Sequence, residues 1–487
     1  MQFLVVSDPS NHIVLSNYIV PLYSVNTMQK RPPSVLSLKE LVADTRKKRK
    51  SEKLIVSSVS ADGWVMIDKI RDAFDFQALD KNNSFALLDF SPFDSQADIF
   101  CRLYPQLLVE SIVQRVQDTS PTLFTYGSGK SISLSMQKIY KFLAIKIRVQ
   151  GLHAVPQKNE HNVKAQRKAF QLAREYFAFK FPASTPVGIN FIEQMHNTLI
   201  ITPAEDNLLS DILLSSIVTL GQWTAGDEKL FHFTGRSALV RKVPNKPAKI
   251  GIWSYELTVR LSNDKSYLIY VHCQNANSNV GESIPPHYII KDWGQIVKKK
   301  GQEKTMLVAD SYYLDASGKA LLEEMNVKYV CSVQKQRFHK LVQVVQPSVT
   351  QPGQWDAMWN DTDKTLFVYF WDMREEVGKK YLLTNAFKKE AGKKLKYSVP
   401  GYDEYNHMFS TCDYFNKDLH DCSFPHKKGG KNRKGDLAQL NDFYFTSILM
   451  NIRNAWGSFH NDLPDFKSFC ESLADQLYDK ASNMSDL

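Results

Sequence analysis

The sequence of 487 residues carries a formal net charge of +10 and is 43% hydrophobic and 12% aromatic. That apolar content can fill large cores and excludes a wholly disordered chain, while the length calls for two to four folding units. No run approaches about 18 uncharged apolar residues, so no membrane partner is expected.

In chain order, residues 1–90 mix short strand-like runs, "HIVLSNYIVPLY" and "KLIVSSV", with polar linkers. The opening "MQFLVVSDPSNHIVL" has no basic leader before its apolar run, so it is not expected to act as a signal peptide. "RKKRK" at 46–50 reads either as an exposed basic turn or as a nuclear localisation signal, the second placing the protein in the nucleus. Residues 91–222 read as mostly helical. In "SLSMQKIYKFLAIKIRVQGL" the apolar positions Met136, Ile139, Tyr140, Leu143 and Ile147 follow helical spacing, with Ser133 as the cap and Gly151 as the stop. "EHNVKAQRKAFQLAREYFAFKF" predicts a second helix with a basic outer face, and "NLLSDILLSSIVTL" a third.

From residue 227 the period changes. "KLFHF", "KIGIWSYELTV", "SYLIYVHC" and "KTMLVAD" are strand-like, "DASGKALLEEMN" is helical and "KYVCSV" is a strand. Three neighbouring strands followed by strand–helix–strand predict an α/β layer over 223–335. Residues 336–402, with "WDAMWNDTDKTLFVYFWDM" and "KKYLLTN", show little helical pattern and read as a β-rich insertion. Residues 403–487 end in two amphipathic helices, one of them nearly all apolar.

The basic excess is clustered at 46–50, 298–304, 388–396 and 426–435. Any one run reads equally as a solvated face, but four together favour a polyanionic partner such as nucleic acid over a small-molecule substrate. The six cysteines contain no C-x-x-C pair and lie in ordinary mixed stretches, which predicts free thiols and a reducing compartment. Cys412, His420, Cys422 and His426 are too awkwardly spaced for a zinc module.

Phosphoryl chemistry on two metal ions needs several carboxylates converging on ions about 3.5–4 Å apart. Asp227 opens the strand run "EKLFHF". Asp310 ends "KTMLVAD", at the carboxyl end of a strand, where open α/β sheets place their sites. Asp413 lies in a turn or helix start before the long C-terminal helix. Each alone also reads as a cap or a surface aspartate, and pattern does not separate Asp413 from Asp418 and Asp421. Arg236, Lys246 and Lys249 read as phosphate contacts or as neutral surface charge. Trp355, Trp359 and Trp371 read as core or as platforms for flipped bases.

"DEKLFHFTGRSALVRKVPNKPAKIGI" resembles the start of the catalytic domain of the piggyBac transposase family, with its Asp-Glu pair, apolar strand, Gly-Arg and Pro-Lys-Pro segment. "VADSYYLDASGKALLEEMNVKYVCSV" and "YDEYNHMFSTCDYFNKD" are similar to that family's second and third blocks. The resemblance implies an RNase H-like catalytic core interrupted by the insertion at 336–402, with Asp227, Asp310 and Asp413 as catalytic metal ligands for Mg²⁺, or Mn²⁺ in its place. It also implies cleavage and joining of double-stranded DNA at TTAA-type sites through hairpin intermediates. Helices at 91–222 and near the C-terminus would form a homodimer and hold DNA. The chain departs from the family at Ser311, at Leu314-Asp315, at "TAG" before Asp227 and at Asn416, where the family has a further aspartate; the cysteine-rich C-terminal zinc module is missing. These departures suggest a divergent or host-adopted copy. The alternative is a DNA-binding or chromatin-associated derivative that keeps the fold and has lost cleavage.

Overall fold

The computed structural model describes residues 63–67, 72–76, 84–125, 129, 131–153, 163–232, 240–242, 250–273, 285–372, 378–391, 399, 401–422 and 436–484. All of them fall in one compact unit, Val56–Leu487. Arg236, Lys246 and Lys249, and the basic runs at 46–50 and 426–435, lie outside the described residues.

The strands are β1 (Trp64–Met66), β2 (Asp72–Phe76), β3 (Leu87–Leu88), β4 (Ile217–Thr219), β5 (Trp223–His232), β6 (Val240–Lys242), β7 (Ile250–Arg260), β8 (Ser266–Cys273), β9 (Met306–Ala309), β10 (Lys328–Ser332), β11 (Trp355–Asn360), β12 (Thr365–Trp371), β13 (Lys379–Thr384) and β14 (Phe387–Ala391). The helices are α1 (Gln96–Leu103), α2 (Gln106–Thr119), α3 (Met136–His153), α4 (Val163–Lys180), α5 (Ile189–Thr198), α6 (Asp206–Ser215), α7 (Pro286–Lys300), α8 (Ala316–Glu324), α9 (His339–Val345), α10 (Tyr402–Cys422), α11 (Asp436–His460) and α12 (Phe466–Ser482).

One mixed, ten-stranded sheet organises the molecule, in the order β1-β11-β12-β13-β10-β9-β5-β7-β6, with β8 also pairing β7. β5, β9 and β10 run parallel; β7 is antiparallel to β5, and β8 to β7. The three neighbouring strands and the strand–helix–strand unit read from the sequence are thus adjacent in one sheet, and α7 fills the connection between β8 and β9. The aromatic strands after residue 336 are not set apart. β13 pairs antiparallel with β10, and β12, β11 and β1 continue the same sheet. Trp359 is buried within this part, while Trp355 and Trp371 are half-buried, the latter with the Lys379 ammonium 4.7 Å from its ring centre.

A helical layer joins early and late parts of the chain. In α3, Phe142, Leu143, Ala144, Ile145 and Ile147 are all buried, and Lys141, Lys146 and Gln150 are buried with them, so the helix is covered on most sides. Gly151 does not end it. Gly151 stays helical because a Cβ there would meet Cys470 Cβ of α12 at 2.6 Å, so the glycine permits close helix packing. The helix begins after Ser135, whose Oγ accepts from the Lys138 amide at 3.4 Å, and not after Ser133. Phe177 of α4 stacks on Tyr478 of α12 with ring centres 4.3 Å apart. The third expected helix is α6, which stops at Ser215 and gives way to β4.

The basic run at 298–304 has a structural role. Lys298, Lys299 and Lys300 form the last turn of α7, where positive charge complements the helix dipole, and Lys300 Nζ donates to the Ile217 carbonyl oxygen at 2.7 Å.

Candidate active site

β5 starts at Trp223, so Asp227 is the fifth residue of a ten-residue strand and does not open it. The "TAG" segment is strand, paired to β7 and β9, and its glycine, Gly226, is there because the position must be bare. A Cβ there would lie 2.4 Å from the ring of Trp293, which is fully buried on α7. The parallel register between β5 and β9 runs from Trp223↔Met306 to Gly226↔Ala309. Asp227 and Asp310 each follow that last pair by one residue. They therefore stand side by side at one level, on the face opposite Trp293, with the strands about 4.8 Å apart. Asp310 Oδ1 accepts from the Ser311 amide and from Ser332 Oγ, the latter at 3.4 Å. Asp227 Oδ1 accepts from the Glu228 amide at 2.8 Å. Glu228 itself points to the other face, where it accepts from the Tyr313 hydroxyl.

Asp413 is neither in a turn nor at a helix start. It lies inside α10, which crosses the sheet face that carries Asp227 and Asp310. Three side chains on one side of α10, spaced by seven and four residues, mark the crossing. Tyr405 is nearest Asp310: burial raises its hydroxyl pKa, and Asp310 and, more weakly, Asp227 push the same way. Cys412 sits over β5 and β7, its Sγ 3.0 Å from the Ala225 carbonyl oxygen and from Thr258 Oγ1. Burial raises its thiol pKa well above normal, with Asp227, then Glu256 and Asp413, adding to the effect. A buried thiol held in this way is a packing group, which removes Cys412 from any zinc set. Asn416 lies over Glu256 on β7. Asp413, beside Cys412, has an exposed side chain.

Glu256 is the residue that the sequence reading missed. It is the cross-strand partner of Asp227 and is 1% exposed. In "WSYELT" the polar residues alternate with apolar ones, which normally marks a solvated strand face. Here Ser254, Glu256 and Thr258 are all buried, because α10 covers that face. Burial pushes the Glu256 carboxyl up and the neighbouring Lys229 ammonium down, each opposed by the other's charge. Asn416 is near enough to favour the ionised carboxylate without reaching hydrogen-bond geometry: neither Glu256 oxygen, nor Ser254 Oγ, nor Asn416 Oδ1 has a hydrogen-bond partner among the described residues.

Aspartate oxygens are the donors that Mg²⁺ takes. Asp227 and Asp310 suit such an ion, since two carboxylates meet at adjacent strand positions on the face that α10 crosses. Among the described residues, however, no three side chains of His, Cys, Asp or Glu stand close enough to hold a metal ion, so Asp413 does not close a three-carboxylate cage with them as placed.

No helix among the described residues is long and apolar enough to cross a membrane. No family model matches the sequence, and no curated protein matches it. The fold does have a solved counterpart. The chain is similar to a piggyBac transposase in a synaptic complex with hairpin DNA, with a TM-score of 0.55 and 14% identity, covering 80% of this chain and 81% of that one. The protein is thus a mixed α/β chain with the fold of a piggyBac transposase.

Proposed function

We propose that this chain is a piggyBac-like DNA transposase, or a host-adopted derivative of one, that cuts and joins double-stranded DNA at TTAA-type sites on an RNase H-like core. The observation that carries the reading is the placement of Asp227 and Asp310 side by side, each one residue past the last residue pair of the parallel strands β5 and β9. The strand order β8-β7-β5-β9-β10, with only β7 reversed among them, supports an RNase H-like core. The similarity to a transposase solved with hairpin DNA supports the partner.

In this reading Asp227 and Asp310 hold Mg²⁺, or Mn²⁺ in its place, and Asp413 joins them from α10. The ion supplies Lewis acidity to the phosphate and to the attacking oxygen. The chain's own residues do the rest. The sheet fixes the spacing of Asp227 and Asp310, α10 keeps water from the face beneath it, and Arg236, Lys246 and Lys249 contact backbone phosphates. A homodimer would bring two such sites to paired DNA ends, and the run at 46–50 would direct the chain to the nucleus.

The test is incubation of the purified chain with a TTAA-centred duplex and Mg²⁺ or Mn²⁺, followed by denaturing electrophoresis. Nicks and hairpins that vanish in Asp310→Asn support the reading. Binding without any cut in either metal leaves the second reading, a DNA-binding derivative. The exposure of Asp413, outside any three-member acidic group among the described residues, favours that reading.

A further inference from the structure

Register places three carboxylates in a row. Asp310 follows β9, Asp227 is on β5 and Glu256 is on β7, in consecutive strands, at one level and on one face. The row was not legible as a unit, because Glu256 belongs to a strand that returns antiparallel.

We propose that Glu256 is a further acidic member of the divalent-cation site, acting beside Asp227 from the next strand. This rests on the metal reading of Asp227 and Asp310 given above. The inference has two independent supports. First, Glu256 is 1% exposed, and both of its oxygens are without a hydrogen-bond partner among the described residues. A carboxylate taken out of water without hydrogen bonds is costly, and such groups are normally paired or bound to a cation. Second, Glu256 is the cross-strand partner of Asp227, so its side chain stands beside that aspartate on the face that α10 crosses. Asp310 lies two strands from Glu256, roughly 10 Å across the sheet. Glu256 therefore works beside Asp227 and not directly with Asp310. The helix position that faces it, Asn416, offers a neutral amide, and its Oδ1 is also without a partner among the described residues. The strand thus brings the negative charge that this helix position lacks.

The competing account is a buried ion pair of Glu256 with Lys229, of purely structural use. The two accounts differ in what they say of cation affinity. The experiment is a Mn²⁺ titration of the full chain without DNA, read by the electron paramagnetic resonance of free Mn²⁺, with a thermal melt of every variant. The wild type should bind Mn²⁺, and Asp227→Asn and Asp310→Asn should each weaken it. Glu256→Gln, nearly the same shape, should weaken binding about 10–100-fold, the scale seen when groups supporting metal ligands are changed, while melting no lower than the wild type. Asn416→Asp added to Glu256→Gln should restore affinity, since it returns a carboxylate to the facing position. A structural ion pair would not be rescued in this way. Should Glu256→Gln bind Mn²⁺ like the wild type while the two aspartate variants fail, the role of Glu256 is refuted and the metal reading stands. If the wild type does not bind Mn²⁺, or the aspartate variants bind it unchanged, the metal reading itself falls and takes this inference with it. If Glu256→Gln melts well below the wild type, the titration is made on Glu256→Gln with Lys229→Met, which removes both members of the buried pair: Mn²⁺ binding like the wild type in that variant refutes the proposal.

Discussion

Asp206 opens α6 at 3% exposure, and its carboxylate accepts from the Tyr444 hydroxyl and, at 2.5 Å, from the Cys273 amide. Burial outweighs those bonds and pushes its pKa from 3.8 up to about 7. The folded chain therefore holds this proton more tightly than the unfolded chain does. The resulting stability is complete below the unfolded value and is lost as pH rises through about 7. Asp206→Asn cannot ionise and keeps an accepting oxygen. Its stability relative to the wild type should climb between about pH 4 and 7 and level off above, by roughly 1–4 kcal/mol. Urea midpoints at pH 5 and pH 8 test this, and an equal difference at both would refute it. Gly226 poses a steric question at the same scale. Gly226→Ala should destabilise by about 1–3 kcal/mol through its clash with Trp293, and Trp293→Leu in the same chain should recover part of that loss. Asp310 was legible in the sequence because a strand end followed by aromatics is an unusual place for a charge. Glu256 was not, because its alternating neighbours look like a wet face until a helix from 150 residues later is laid over them.

At the scale of elements, the core strands were legible in "KIGIWSYELTV", "SYLIYVHC" and "KYVCSV", since β-branched and aromatic residues bounded by turn residues leave little choice. α10 was harder to read. Its buried face includes Tyr402, Tyr405, Cys412, Phe415 and Leu419, but polar residues between them hide the helical period, and Asp413 looked like part of a turn. The stop assigned to Gly151 failed for a different reason: a glycine that admits a neighbouring helix cannot be told from a glycine that ends one without the partner in view. Gly151→Ala should lower stability by about 1–3 kcal/mol, because the backbone oxygen of Lys467 and Cβ of Cys470 leave no space for the added carbon. A chemical-denaturation curve with an unchanged midpoint would show that α3 and α12 can part without cost.

For the whole molecule, the charge of +10 carries an expectation about DNA that does not depend on catalysis. Asp310→Asn should bind duplex DNA as well as or better than the wild type, with affinity falling steeply as salt rises. Affinity indifferent to salt would remove the nucleic-acid reading. The basic run on α7 should contribute little to that affinity, since it completes a helix end and ties α7 to β4.

β10 is shared. One edge pairs with β9, whose end carries Asp310, and the other pairs with β13, through which the aromatic strands attach. A segment that reads as an insertion is thereby laced by backbone hydrogen bonds to the strand next to the site, and the ladder has no break between the two halves. Unfolding should then be communal: in native-state hydrogen exchange, amides of β12 and β9 should become labile in the same event, with the same dependence on denaturant.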